Sequence, residues 1–141
     1  MRIMALDVGD SRIGVAISDP TEMLASPLVI IKRLNEASDI QSIVNLVNER
    51  GAGKLLVGLP LSLSGGTGMQ AEKVQAFAGR LQAVVSIPLE MVDERFSTVT
   101  AKEYMRKSVG KKKGRIKKHD DAIAAAVILQ GYLDEAGSPK S

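Results

Sequence analysis

Short apolar segments alternate with amphipathic ones along this chain, and this pattern sets the predicted order of its elements. Residues 2–6 are mostly apolar and predict a buried strand. Residues 7–12 contain glycine, aspartate and serine, which are typical of a turn. Residues 13–18 alternate in the manner of a second strand, so the first 18 residues predict a hairpin.

After this hairpin, the pattern predicts strands that alternate with helices. In chain order the predicted elements are a loop at 20–27, a strand near 28–31, a helix at 39–50, a strand at 54–57, a loop at 58–68, a helix at 70–84, a strand at 88–93, a helix from Ser97 or Thr98 to about residue 107, and a last helix at 121–135. Ser38 is the predicted N-cap of the first helix, and Gly51 and Gly53 are its predicted end. The order belongs to the α/β class. It predicts a mixed five-stranded sheet, antiparallel at its start and parallel afterwards, with helices on both faces.

Chain length and composition restrict the classes of protein that fit. At 141 residues the chain suits one domain, and we expect residues 1–137 to form it and 138–141 to be a frayed tail. The absence of cysteine excludes a disulfide framework, a thiolate zinc site and a cysteine nucleophile. Apolar runs such as 122–129 are shorter than the roughly 20 residues of a membrane span, and the acid at position 7 interrupts any signal peptide. We therefore expect a cytoplasmic protein with no membrane partner.

The net charge of +3 hides a strong asymmetry. Residues 106–119 hold eight of the nineteen lysines and arginines and no acid, so the rest of the chain carries a net charge of −5. A basic run of this kind often binds a phosphate backbone. A solvated lysine loop that only maintains solubility is the alternative.

Three acidic positions lie at predicted element ends, two of them beside a second acid: Asp7, Glu94 next to Asp93, and Asp121 next to Asp120. Groups at the ends of strands project into the cleft at the edge of an α/β sheet. Carboxylates gathered there could hold two divalent ions roughly 4 Å apart, which activate a water and stabilise the leaving oxygen of a phosphodiester. Simpler roles remain open. Asp121 could be a helix cap, Asp7 could close a turn, and Glu94 could pair with Arg95 or Arg12.

Two glycine-containing segments could approach a phosphate with their backbone. The segment 7–16 combines a carboxylate with glycine and serine at a hairpin tip, as in the first phosphate loop of actin-like ATPases and sugar kinases, although a hairpin without a ligand has the same pattern. The loop after position 58 offers further glycines and serines, without the order of an ATP-binding loop. The predicted phosphate-contacting residues of the two segments are Gly9, Ser11, Ser62, Ser64, Gly65 and Gly66. The single histidine, His119, could assist a proton transfer, but a surface residue is the expected role of a lone histidine in a basic loop.

Four ordered motifs together resemble the YqgF (RuvX) family over almost the whole chain. They are residues 5–19 (ALDVGDSRIGVAISD), 57–61 (VGLPL), 93–98 (DERFST), and Asp121 followed by 124–133 (AAAVILQGYL). The resemblance implies a ribonuclease H-like fold similar to that of RuvC-type resolvases. It implies a cytoplasmic bacterial nuclease that matures the 5′ end of pre-16S rRNA, and a resolvase role has also been proposed for the family.

Carried over position by position, the resemblance implies an acidic metal site at Asp7, Glu94 and Asp121. Asp93 could take the role of Glu94 as the direct ligand, or hold that ligand in place. Asp120 stands where family members usually have an apolar residue, and it could likewise support the ligand at Asp121. The expected cofactor is Mg²⁺, with Mn²⁺ as a substitute. The residues expected to contact phosphates are Arg12, Lys111, Lys112, Lys113, Arg115, Lys117 and Lys118.

The expected partner is nucleic acid, with pre-rRNA favoured and branched DNA as the alternative, bound by a monomer or a homodimer. Aromatic residues are only 3% of the chain, so we expect phosphate contacts rather than base stacking to dominate. Two other classes fit some of the same features: an ATPase that uses the 7–11 loop, and a nucleic-acid-binding module without catalysis.

Overall fold

The computed structural model describes residues 1–60, 68–93 and 120–137, and for residues 120, 121, 136 and 137 it describes the backbone alone. The sequence predictions outside these residues include the helix ending near 107, the basic segment 106–119, the tail 138–141 and most of the loop at 58–68.

Five strands form one mixed sheet in the order β3-β2-β1-β4-β5. The strands are β1 (Arg2–Val8), β2 (Arg12–Ser18), β3 (Ala25–Lys32), β4 (Ala52–Leu59) and β5 (Leu89–Asp93). Pairing is antiparallel between β1 and β2 and between β2 and β3, and it is parallel from β1 through β4 to β5. The predicted five-stranded sheet with an N-terminal hairpin is confirmed.

Helices cover both faces of this sheet, as the sequence predicted. They are α1 (Glu36–Arg50), α2 (Met69–Gln82) and α3 (Asp120–Gly137). One core, which contains Met4, Leu6 and Phe77, lies between the sheet and the helices α1 and α2. A second core lies between the sheet and α3. It is rich in alanines, such as Ala5 and Ala125, whose small side chains let a helix pack closely on a sheet.

Several predicted boundaries were wrong because the pairing of strands overrides local signals. The first strand continues past residue 6 through Asp7 and Val8, since both pair with β2. The third strand begins at Ala25 and contains Pro27, which an edge strand tolerates because the missing N–H costs no ladder bond on the open side. Gly53 lies inside β4, and Gly51 alone ends α1, with a left-handed φ of 66°.

The start of α1 also differs from the prediction. Asn35 is the N-cap, and its side chain accepts a hydrogen bond of 2.8 Å from the backbone N–H of Ser38, the residue predicted as the cap. The helix therefore begins at Glu36, three residues before position 39. Asp39 is therefore not the first residue of the helix; it lies in the first turn, where it is buried and its carboxylate pairs with Arg33.

The loop between β2 and β3 is organised by one carboxylate. Asp19 accepts hydrogen bonds from the backbone N–H groups of Met23 and Leu24 at 2.9 and 3.0 Å, and from the Thr21 hydroxyl. These bonds, of which the one from Leu24 contributes most, hold the pKa of Asp19 well below its ordinary value. The charged carboxylate is thus part of the folded loop.

The second half of α3 is fixed at the end of the sheet where β1 begins. The Ala25 N–H donates to the Gln130 side chain at 2.9 Å. The Nζ of Lys54 donates to the Tyr132 hydroxyl at 2.5 Å. The hydrogen bond from Lys54 to Glu90, and to a smaller extent the one to Tyr132, raises the pKa of Lys54. Within residues 1–60, 68–93 and 120–137 no helix is both long and apolar enough to cross a membrane.

Candidate active site

Asp7 lies between two glycines on the neighbouring strands, and these two positions without a side chain are called the glycine recess. Its alternate neighbours along β1, Ile3 and Ala5, belong to the α3 core, so Asp7 points to the face that α3 covers. On β2 its partner is Gly14. On β4 the register pairs Leu6 with Val57, so the next residue, Gly58, lies beside Asp7.

Both glycines are buried, whereas Asp7 is half-buried. Any other residue at either position would direct a Cβ into the layer that holds the Asp7 carboxylate. The recess therefore combines an oxygen donor with two neighbouring positions that carry no side chain. This suits a hydrated divalent cation, since Mg²⁺ prefers oxygen ligands and keeps several of its waters.

The hairpin turn that follows Asp7 is tight. The N–H of Gly9 donates to the Arg12 carbonyl oxygen at 2.8 Å, and a Cβ added to Gly9 would lie 2.9 Å from that same oxygen. Glycine is therefore required at position 9 by the close approach of the two backbones. Ser11 and Arg12 are exposed at the tip and at the start of β2.

Arg33, which no motif of the sequence marks as a site residue, joins this turn to the helices. Its Nη1 donates to the Gly9 carbonyl oxygen at 3.0 Å, and its backbone N–H donates to the Ser11 carbonyl oxygen at 2.9 Å. No local pattern reports these contacts, because residue 33 lies more than twenty positions from the turn. Gly14 and Gly58 were detectable from the sequence as glycines inside predicted strand or strand-end segments, a signal of close approach.

The other predicted acids are placed less completely. Asp93 is the last residue of β5, where alternation puts Met91 in the core of α1 and α2 and Val92 in the α3 core. By the same alternation, Asp93 lies on the face opposite Asp7. Asp120 and Asp121 are the first two residues of α3, known here from their backbone.

Several predicted site residues lie outside the part of the chain that the structure describes. They are Glu94, the loop residues Ser62, Ser64, Gly65 and Gly66, and the basic residues Lys111, Lys112, Lys113, Arg115, Lys117 and Lys118. Among the residues that are described, no three acidic or histidine side chains cluster closely enough to hold a metal ion.

The direction of α3 brings its first turn toward the end of the sheet that carries Asp7. Its second half is bonded to Ala25 and Lys54, and Lys54 pairs with Ile3 at the start of β1. From Gln130 back to Asp120 a helix covers about 15 Å, and from Ile3 to Asp7 a strand covers about 13 Å. The helix N-terminus, which carries a partial positive charge, thus extends toward the Asp7 edge.

Comparison with known proteins identifies the family. A family described as "RuvX: Holliday junction resolvase" matches residues 1–135. The chain belongs to the RuvX family.

Two curated relatives of this RuvX chain carry the same name. A protein of Chloroflexus aurantiacus named "Putative pre-16S rRNA nuclease" is 48% identical over 132 residues, which are 94% of this chain and 86% of that protein. A protein of Dehalococcoides mccartyi with the same name is also 48% identical, over 94% of this chain and 97% of its own length.

Solved structures show the same fold at low identity. RuvC of T. thermophilus, solved in complex with a Holliday junction substrate, aligns with a TM-score of 0.68 and 12% identity over 98% of each chain. The Fowlpox virus resolvase, solved with Holliday junction DNA, aligns with a TM-score of 0.61 and 12% identity, over 98% of this chain and 100% of that one. The expected ribonuclease H-like fold and the resemblance to the RuvX family are therefore confirmed.

Proposed function

We propose that this RuvX chain is a metal-dependent endonuclease that hydrolyses phosphodiester bonds in structured nucleic acid. Its favoured substrate is the 5′ end of pre-16S rRNA, which implies a cytoplasmic location. The observation that carries the proposal is the Asp7 carboxylate in its glycine recess, at the end of the sheet toward which α3 extends. The name shared by relatives with 48% identity supports the choice of substrate.

The proposed metal ligands are Asp7, Glu94 and Asp121, and the proposed metal is Mg²⁺ or, in its place, Mn²⁺. Magnesium bound there would lower the pKa of a water and stabilise negative charge on the leaving oxygen. The chain itself contributes the carboxylate oxygens, the absence of side chains at Gly14 and Gly58, and the backbone of the Gly9–Ser11 turn.

Two positional arguments support these acids over their neighbours. Asp93 ends β5 on the face opposite Asp7, so the proposal keeps Glu94, the next residue, as the ligand. Position 121 lies one helical turn before Ala125, which belongs to the α3 core, whereas position 120 lies one turn before the half-buried Ala124. This supports Asp121 over Asp120.

The proposed contacts to the phosphate backbone come from Arg12 at the start of β2 and from the basic segment 106–119. Such contacts give affinity that falls steeply with salt and carry little sequence preference. Substrate choice would then follow from the shape of the nucleic acid.

Replacing Asp7 tests the proposal. We expect Asp7→Asn to abolish cleavage of a labelled pre-16S 5′ fragment in Mg²⁺ and in Mn²⁺, while folding and substrate binding are retained, because only a charged oxygen ligand is lost. Glu49→Gln is the matched control, since it makes the same change at an exposed position near the end of α1. Metal-dependent cleavage by purified Asp7→Asn at the wild-type rate would contradict the proposal.

Resolution of a Holliday junction is the second candidate, and the description of the family favours it. A synthetic four-way junction in the same experiment separates the two. Paired symmetrical nicks in the junction, without cleavage of the rRNA fragment, would identify a resolvase, and this activity would require two active sites in a homodimer. Salt-sensitive binding without cleavage in any metal would identify a binding module.

A further inference from the structure

Arg33 connects the turn after Asp7 to both helices on the opposite face of the sheet. Its Nε donates to the Asp39 carboxylate at 3.0 Å, and its Nη1 donates to the Gly9 carbonyl oxygen at 3.0 Å. The guanidinium lies 5.0 Å from the centre of the Phe77 ring in α2. One side chain thus contacts α1, α2 and the turn.

The turn is held at both of its ends. Besides the bond from the Arg33 side chain to Gly9, the backbone N–H of Arg33 donates to the Ser11 carbonyl oxygen at 2.9 Å. Gly9 is only two residues after Asp7. A displacement of the turn is therefore transmitted to the carboxylate through two peptide units.

The partner of Arg33 is itself fixed. Asp39 is 2% exposed, and its second oxygen accepts the N–H of Leu34 at 3.1 Å. A buried carboxylate with two donors gives the guanidinium a single favourable orientation. Lysine could not replace it, because an ammonium lacks the rigid fork that reaches the carboxylate and the carbonyl in one plane.

We propose that Arg33, oriented by Asp39, is a positioning residue for the active-site turn and sets the location of Asp7 in its recess. The inference rests on the proposed function and adds a residue on the other face of the sheet to it. A catalytic group displaced by about 1 Å loses about 100-fold in rate, so a bond this close to Asp7 affects turnover more than affinity.

A cavity beside Arg33 makes the inference testable by chemical rescue. It has a volume of about 290 Å³, and Val8, Phe77 and Arg80 line it together with Arg33. Removal of the Arg33 side chain would extend this space to the Gly9 carbonyl oxygen, with room for a free guanidinium ion.

The experiment compares three changes at this position in single-turnover cleavage of the pre-16S fragment. We expect Arg33→Lys to lower the rate at saturating substrate about 10-fold to 100-fold, with the substrate Kd within about threefold. Arg33→Met combined with Asp39→Asn removes both charges, so it avoids an unpaired buried carboxylate and should give the same loss. Guanidinium at millimolar concentration should partly restore Arg33→Ala, whereas sodium at equal ionic strength should not.

Arg80→Ala is the control. Arg80 lines the same cavity and pairs with Glu36 at 2.5 Å, and among the described residues it has no hydrogen bond or ion pair to the turn. Full activity in all three Arg33 variants, or an equal loss in Arg80→Ala, would overturn the inference.

A second measurement keeps the inference separate from the proposed function. Hydrogen exchange of the Gly9 amide, which bonds Arg12, reports closure of the turn without any cleavage. In the Arg33 variants we expect this exchange to accelerate about 10-fold or more, with Leu56 in the central strands unchanged. If the wild type cuts neither the pre-16S fragment nor the four-way junction, the proposed function fails. The hydrogen exchange of Gly9 then tests the positioning role of Arg33 by itself. Unchanged Gly9 exchange would then overturn the positioning role.

Discussion

At the scale of single residues, Asp7 is distinguished by its neighbours on the two adjacent strands, which are both glycines. Gly14 and Gly58 flank Asp7 on the two adjacent strands, and both are buried. Glycine weakens a strand interior, so these two residues reduce local stability and leave no side chain beside the acid on either neighbouring strand. That combination is typical of a site rather than of a core.

Filling the recess should inactivate the protein without unfolding it. We expect Gly14→Val and Gly58→Val each to lower the cleavage rate at least about 10-fold, because the new side chain would lie directly beside Asp7 on the same face of the sheet. Valine favours strand conformation, which offsets part of the packing cost, usually about 1–3 kcal/mol for an overpacked site. Cleavage assays together with thermal unfolding check this.

Gly79→Ala is the control for these substitutions. Gly79 is exposed in α2, and a Cβ there would meet nothing within 4 Å. We expect unchanged cleavage and a gain of about 0.5–1 kcal/mol in the free energy of unfolding. Wild-type rates in both valine variants would show that neither metal nor substrate uses the recess.

At the scale of the elements, the cap of α1 distinguishes the sequence prediction from the structure. Asn35→Ala should cost about 1 kcal/mol of the free energy of unfolding, because the N–H of Ser38 loses its acceptor. Ser38→Ala should cost less than half of that, as its side chain is not the cap. Urea unfolding of the two variants measures the difference. A larger loss of stability in Ser38→Ala than in Asn35→Ala would indicate that Ser38 is the cap.

The loop between β2 and β3 should respond to acid through Asp19. Its folded pKa lies below the ordinary value of 3.8, so its contribution is complete above that pH and is lost progressively as the pH falls below about 4. Asp19→Asn should therefore be less stable than the wild type at pH 7, and the difference should shrink toward pH 2. Unfolding measured from pH 7 to 2 tests this. A difference that is constant with pH would assign the effect to the Asp19 geometry rather than its charge.

At the scale of the whole molecule, the separation of charge predicts how binding depends on salt. Six proposed phosphate contacts lie in the segment 106–119, and the remainder of the chain has a net charge of −5. Each phosphate contact contributes about −0.9 on duplex DNA, or about −0.7 on single strands, to the slope of log K against log salt. Replacing Lys111, Lys112 and Lys113 by glutamine should reduce the slope by about 2–3.

The rate of cleavage at saturating substrate should remain within about twofold of the wild type in this variant, because phosphate contacts of this kind position the substrate without reacting with it. A filter-binding titration between 50 and 300 mM salt gives the slope. An unchanged slope would indicate that the segment 106–119 is only a solvated loop.

How much the sequence predicted differs between the fold and the site. The five strands and the covering helices followed from periodicity and turn residues, which depend on neighbours a few positions apart. Boundaries such as Ala25 and Glu36 did not, because strand pairing and a cap fixed them. The family resemblance also came from the sequence, since its motifs are contiguous.

The sequence alone determined which residue types are present, their alternation along each element and hence the order of strands and helices. It singled out Asp7, but not the faces of the sheet. Only the tertiary structure decided that Gly14 and Gly58 flank this acid, that Asp93 lies on the opposite face, and that Arg33 reaches the turn. The physical reason is that register between strands, and the reach of one side chain across a core, are set by packing of the whole chain rather than by any local stretch of it.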